Sequence, residues 1–114
     1  MPLIEICALP PDAAVDVAAV LRRLNEAVAA AVPCRPDAVW TTWRSLDGGY
    51  AVGSDAVRQQ PSDTHGPIVH VYLNRPPDAV ERACAVIEDV LARQLGLAPG
   101  NVFVTVQPVF ASPQ

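Results

Sequence analysis

An internal repeat narrows the possible folds more than anything else in this chain. Pro2-Leu3-Ile4-Glu5-Ile6 is echoed by Pro67-Ile68-Val69-His70-Val71. Pro10-Pro11-Asp12-Ala13 returns as Pro76-Pro77-Asp78-Ala79, and Asp37-Ala38-Val39-Trp40-Thr41 parallels Asn101-Val102-Phe103-Val104-Thr105. The pieces keep their order, so each copy is one supersecondary unit. In 114 residues this gives a single domain, 1–114, with repeat units 2–46 and 67–109 and a loop 47–66 between them.

Each unit reads as strand, helix, strand. Val17, Leu21, Leu24, Val28 and Ala31 recur at helical spacing, as do Val80, Ala83 or Cys84, Ile87, Leu91 and Leu95. Pro11 suits a first helical turn, with Asp12 near its unpaired N–H groups. Pro33 and Pro36 stop the first helix, and Gly96-Leu97 reads as a left-handed cap on the second. Leu3 to Ala8, Val39 to Leu46, Ile68 to Leu73 and Val102 to Val106 are short and rich in β-branched or aromatic residues, as strands are. Strand–helix–strand order implies right-handed crossovers and parallel pairs. The expected fold is α+β: a four-stranded mixed sheet with two helices on one face. The loop carries Gly48-Gly49, Gly53 and Pro61, with room for a short strand at Tyr50 to Val52.

Composition excludes several classes. The net charge of −4 argues against nucleic acid and anionic membrane as partners, since both need a basic footprint. No apolar run reaches the ~18 residues of a membrane span, and no basic, then apolar, N-terminal segment reads as a signal peptide. Apolar residues make up 51% of the chain and charged ones 18%, against roughly 25% charged in an average domain. So small a domain buries that much apolar surface only with help, and the uncovered sheet face points to association. The eight basic residues are all arginine, so no side chain can form a Schiff base. Cys7, Cys34 and Cys84 lie in apolar stretches without C-x-x-C spacing. They read as buried, reduced thiols of a cytoplasmic protein rather than a disulfide framework or metal site; no cofactor or metal is expected.

Met1-Pro2 followed by a short strand, the doubled unit and the length together resemble the tautomerase superfamily. That superfamily includes 4-oxalocrotonate tautomerase, 5-(carboxymethyl)-2-hydroxymuconate isomerase, cis-3-chloroacrylic acid dehalogenase and macrophage migration inhibitory factor. The resemblance implies a homotrimer and a site centred on Pro2. Removal of Met1 would expose a secondary amine. An α-amine titrates near ~7.7–8.0, and apolar burial lowers that value, so the nitrogen could act as a general base. Were Met1 retained, the nitrogen would be an amide and no base.

The same resemblance implies that Arg75, at the end of the third strand, holds a substrate carboxylate. Arg44 is a second candidate anchor. Trp40 could wall a pocket or pack between subunits, and Phe103 falls near a fourth-strand position where some members place a pocket aromatic. Each has a plainer reading: a strand start for Pro2, solvated cations for Arg75 and Arg44, packing for Trp40 and Phe103. The muconate tautomerase has an arginine early in this strand, at a position that falls near Trp40 here, a departure that weighs against a dicarboxylate substrate. Arg35 lies near a cation of the cytokine-like members. His70, on a strand, reads as a satisfied core residue, and His65 has no evident partner. From Gly96 to Gln114 there is no Asp or Glu, so water-activating chemistry ranks below a simple proton shift. The expected function is cofactor-independent tautomerisation of a small 2-oxo or 2-hydroxy-alkenoic acid. The alternatives are a non-catalytic protein of the same fold and a ferredoxin-like small-molecule binding module.

Overall fold

The computed structural model describes residues 2–58, 60 and 66–107. His65, Met1 and the last two positions of the second repeat lie outside the described residues. In chain order the elements are β1 (Leu3–Ala8), α1 (Val17–Ala31), a 3₁₀ turn (Pro36–Ala38), β2 (Trp40–Ser45), β3 (Tyr50–Val52), β4 (Asp55–Val57), β5 (Ile68–Tyr72), α2 (Pro77–Leu95) and β6 (Phe103–Gln107). The main sheet has the order β2-β1-β5-β6. β1 runs parallel to β2, β5 parallel to β6, and the two units meet antiparallel through β1 and β5. In a ferredoxin-like split unit another strand lies between the parallel pair. Here each parallel pair is adjacent, and that alternative falls.

Strand alternation divides the sheet into two faces. Ile4, Ile6 and Ala8 of β1 and Val69 and Val71 of β5 are fully buried beneath Val20, Leu24 and Val28 of α1 and Ala83, Ile87 and Leu91 of α2. The opposite face carries three cross-strand rows: Trp40–Leu3–Tyr72–Gln107, Thr42–Glu5–His70–Thr105 and Arg44–Cys7–Ile68–Phe103. Both helices pack on the other face, and the β3–β4 hairpin flanks this one beside Ile68 and Phe103.

α2 begins at Pro77 and ends on Gly96 at φ 68°, with the Leu97 N–H donating to the Ala92 carbonyl at 2.8 Å. That is the left-handed cap expected of Gly96-Leu97. α1 starts later than Pro11-Asp12 suggests. The Asp12 carboxylate accepts from the Ala14 N–H at 2.9 Å, closing a turn that competes with helix. Asp16 is the true N-cap, accepting from Ala19 N–H. The α1 stripe is accordingly Val20, Leu24, Val28 and Ala29, with Val17 and Leu21 at its margin. The expected strand at Tyr50 to Val52 is present and pairs with β4 as a hairpin, a partner that its Gly-rich, polar surroundings concealed. The three cysteines are free and half-buried rather than buried.

Candidate functional site

Pro2 opens β1, one of the two inner strands, and is fully buried. Its carbonyl accepts the Trp40 N–H at 2.9 Å, which ties the start of β2 to the start of the chain. β5 arrives antiparallel, with Tyr72 opposite Leu3, so the chain leaves β5 towards Arg75 at the same end of the sheet. Pro2, Trp40 and Arg75 therefore share one end. Trp40 is 58% exposed, and the exposed Arg75 guanidinium donates to the Asn74 carbonyl at 3.0 Å.

Arg44 and Phe103 do not join them within one protomer. Both belong to the row through Cys7 and Ile68, about 16 Å along β1 from Pro2 at roughly 3.3 Å per residue. Phe103 is also 62% exposed, not a core residue, because β6 is an edge strand and Phe103 points away from the helices. Arg44 lines a groove of about 430 Å³ with Glu5, Cys7 and Thr42 on the open face. Trp43, on the helix side, packs against the core. Arg35 is exposed and pairs with Asp37 at 2.8 Å.

The middle row of the open face is polar. His70 Nδ1 lies 2.7 Å from Thr105 Oγ1, so His70 sits on the open face and not in the core. Glu5 stands directly opposite His70 on β1. Loss of solvent, then the charge of Glu5 and a hydrogen bond to it, push the Tyr72 hydroxyl above the usual phenol range. Alternation carries Glu5 away from the face of Pro2. Burial, then the charge of Glu88, raises the Cys84 thiol, which makes it a poor nucleophile at neutral pH.

Two features escaped the sequence. Tyr50, in an otherwise polar loop, donates its hydroxyl to the Gly66 carbonyl. A cavity of about 380 Å³ lies between the hairpin and the start of β6, lined by Tyr50, Val52, Ile68, Val102 and Phe103 among others. Its location matters because the two sheet ends are internally equivalent. The Phe103 N–H donates to the Pro67 carbonyl at 3.0 Å, just as Trp40 does to Pro2. Pro67 lies within the chain, so its nitrogen is an amide with no basic lone pair. Among the described residues no cluster of His, Cys, Asp or Glu could hold a metal ion, and no helix is long and apolar enough to cross a membrane.

No protein-family model matches the chain, and no curated protein matches it by sequence. Solved structures do match. A fused 4-OT that forms an asymmetric trimer superposes with a TM-score of 0.77 at 18% identity, covering 94% of this chain and 85% of that one. A member of the cis-3-chloroacrylic acid dehalogenase family gives 0.67 at 18% identity, covering 94% and 74%. Macrophage migration inhibitory factor from Giardia lamblia gives 0.66 at 12% identity, covering 93% and 97%. With adjacent parallel pairs joined antiparallel through β1 and β5, this chain has the fold of the tautomerase superfamily.

Proposed function

We propose that the protein is a trimeric, cofactor-independent tautomerase in which Pro2, freed by removal of Met1, is the general base. The observation that carries this reading is the position of Pro2. It opens β1 at the sheet end where the chain turns out of β5 to Arg75, in a fold shared with fused 4-OT. Burial disfavours the charged form of an amine, and the neutral form it favours is the one a general base needs. The Pro2 nitrogen takes a proton from the carbon beside the carbonyl of a small 2-oxo acid and returns it at carbon or oxygen. Arg75 holds the carboxylate through two parallel hydrogen bonds, and its charge stabilises the developing enolate. A similar fold, with a TM-score of 0.74 at 15% identity, belongs to a protein inactivated by 2-oxo-3-pentynoate, which supports an electrophilic 2-oxo acid as a probe here.

A non-catalytic protein of this fold has one observation in its favour: the Pro2 ring is shut off from solvent in the protomer. One experiment separates the two readings. Exchange of the α-protons of phenylpyruvate, followed by NMR, is expected with Met-free protein and not with Met-retained protein, whose Pro2 nitrogen is an amide. Equal rates in the two would sink the catalytic proline.

A further inference from the structure

The peptide between Val39 and Trp40 is held at both ends. Its N–H donates to the Pro2 carbonyl at 2.9 Å, and its carbonyl accepts from Asn25 Nδ2 on α1 at 3.1 Å. The other end of the Asn25 amide, Oδ1, accepts the Thr41 hydroxyl, which fixes the orientation of the amide. Three hydrogen bonds thus run in series from Thr41, through Asn25 and the peptide, to the Pro2 carbonyl. Bonds in such a chain polarise one another. Both side chains are half-buried between helix and sheet.

The second repeat builds the same fold without this arrangement. Trp40 and Phe103 open the edge strands at opposite corners of the sheet, and each N–H bonds to a proline carbonyl, Pro2 or Pro67. Thr41 lies opposite Ile4, and Val104 opposite Val69. Val104 is therefore the counterpart of Thr41, and a valine side chain carries no polar atom. Matching the helix stripes, Leu24 to Ile87 and Val28 to Leu91, sets Glu88 against Asn25. The Thr–Asn pair belongs to the repeat whose proline can become an amine. The repeat whose proline is locked in an amide has valine and glutamate there. Taking two polar side chains into a half-buried layer costs desolvation, which their hydrogen bonds offset with little net gain. Stability alone would be served as well by apolar residues. We infer that Asn25 is a positioning residue for the Pro2 site. With Thr41 it sets the plane of the peptide between Val39 and Trp40, and through that peptide the Pro2 carbonyl and the direction of the ring nitrogen.

This inference rests on the reading of Pro2 as the base, and its test separates the two. Exchange of the α-protons of phenylpyruvate would be measured on Met-free wild type, Thr41→Val, Thr41→Ser and the double variant Asn25→Leu/Thr41→Val. Thermal unfolding would follow the fold, and hydrogen exchange by NMR the Trp40 amide. The two valine variants are expected to melt close to wild type and to exchange the Trp40 N–H faster. Their kcat should fall roughly ten- to a hundredfold with KM within about twofold, since a misplacement of about 1 Å can cost that much in rate while Arg75 is untouched. Thr41→Ser keeps the hydroxyl and should recover most of kcat. Should the double variant not fold, Thr41→Val decides alone. An unchanged kcat in Thr41→Val overturns the inference and leaves the catalytic proline standing. So does a loss that Thr41→Ser fails to recover, a loss expressed as a rise in KM, or an unchanged Trp40 amide. A wild type that exchanges no α-protons overturns both.

Discussion

Arg75 has little to do for the fold, which makes it the cleanest residue at the Pro2 end to test. Its side chain is exposed and donates to the neighbouring Asn74 carbonyl, so truncation leaves no buried partner behind. Arg75→Ala is expected to weaken binding of a small 2-oxo acid by roughly 1.5–3 kcal/mol, the range for a hydrogen bond to a charged group, with the melting temperature unchanged. Titration calorimetry and thermal unfolding measure the two halves of that statement. Unchanged affinity would return Arg75 to the role of a solvated cation. At this scale the sequence discloses the face on which a strand residue lies, because alternation is strict. It does not disclose which end of the sheet a residue occupies, since that needs the pairing register. Trp40 and Arg44 thus share a face in sequence and structure alike, yet only Trp40 lies near Pro2. Phe103 was harder to read: an aromatic on a short apolar strand suggests core, and nothing local reveals an edge.

Among the elements, α2 was legible and α1 was not fully so, and the difference lies in their ends. α2 starts at Pro77, although the same Pro-Pro-Asp-Ala step at Pro10 closes only a turn, and it ends on a residue with one reading, Gly96, which adopts the left-handed conformation. α1 is preceded by two aspartates, and both accept backbone N–H groups; only the second begins the helix. The cap on α2 gives a quantitative expectation. Space around Gly96 is open, so Gly96→Ala meets no clash and costs only the backbone penalty of a left-handed residue, roughly 1–2 kcal/mol. Urea unfolding should show that loss with an unchanged m-value. A loss near zero would mean that the helix end relaxes into another cap. The hairpin of β3 and β4 was half legible: its first strand follows from Tyr50 and Val52, but its partner, Asp-Ala-Val, carries too little apolar pattern to announce itself.

For the whole molecule, the repeat implies two parallel strand pairs, but its register is not that of the simplest alignment. Matching Asp37–Thr41 to Asn101–Thr105 sets Trp40 against Val104. The backbone sets it against Phe103, since Trp40 bonds to Pro2 as Phe103 bonds to Pro67. Only that register shows the two corners as counterparts, each led by an exposed aromatic. It also bears on stability. The open face carries Leu3, Cys7, Ile68, Tyr72 and both corner aromatics, and in a lone protomer Trp40 and Phe103 stay mostly exposed. If three copies cover one another, association is part of folding, and stability depends on concentration. For a folded trimer in equilibrium with three unfolded chains, each tenfold rise in concentration adds twice about 1.4 kcal/mol per trimer, or roughly 0.9 kcal/mol per chain. With urea m-values of about 1–3 kcal/mol/M for small domains, the midpoint should rise by roughly 0.3–0.9 M per tenfold. Equilibrium urea unfolding across a hundredfold range of protein concentration measures this directly. A midpoint independent of concentration would mean that the open face tolerates water unaided, and the trimeric reading would then lose its energetic basis.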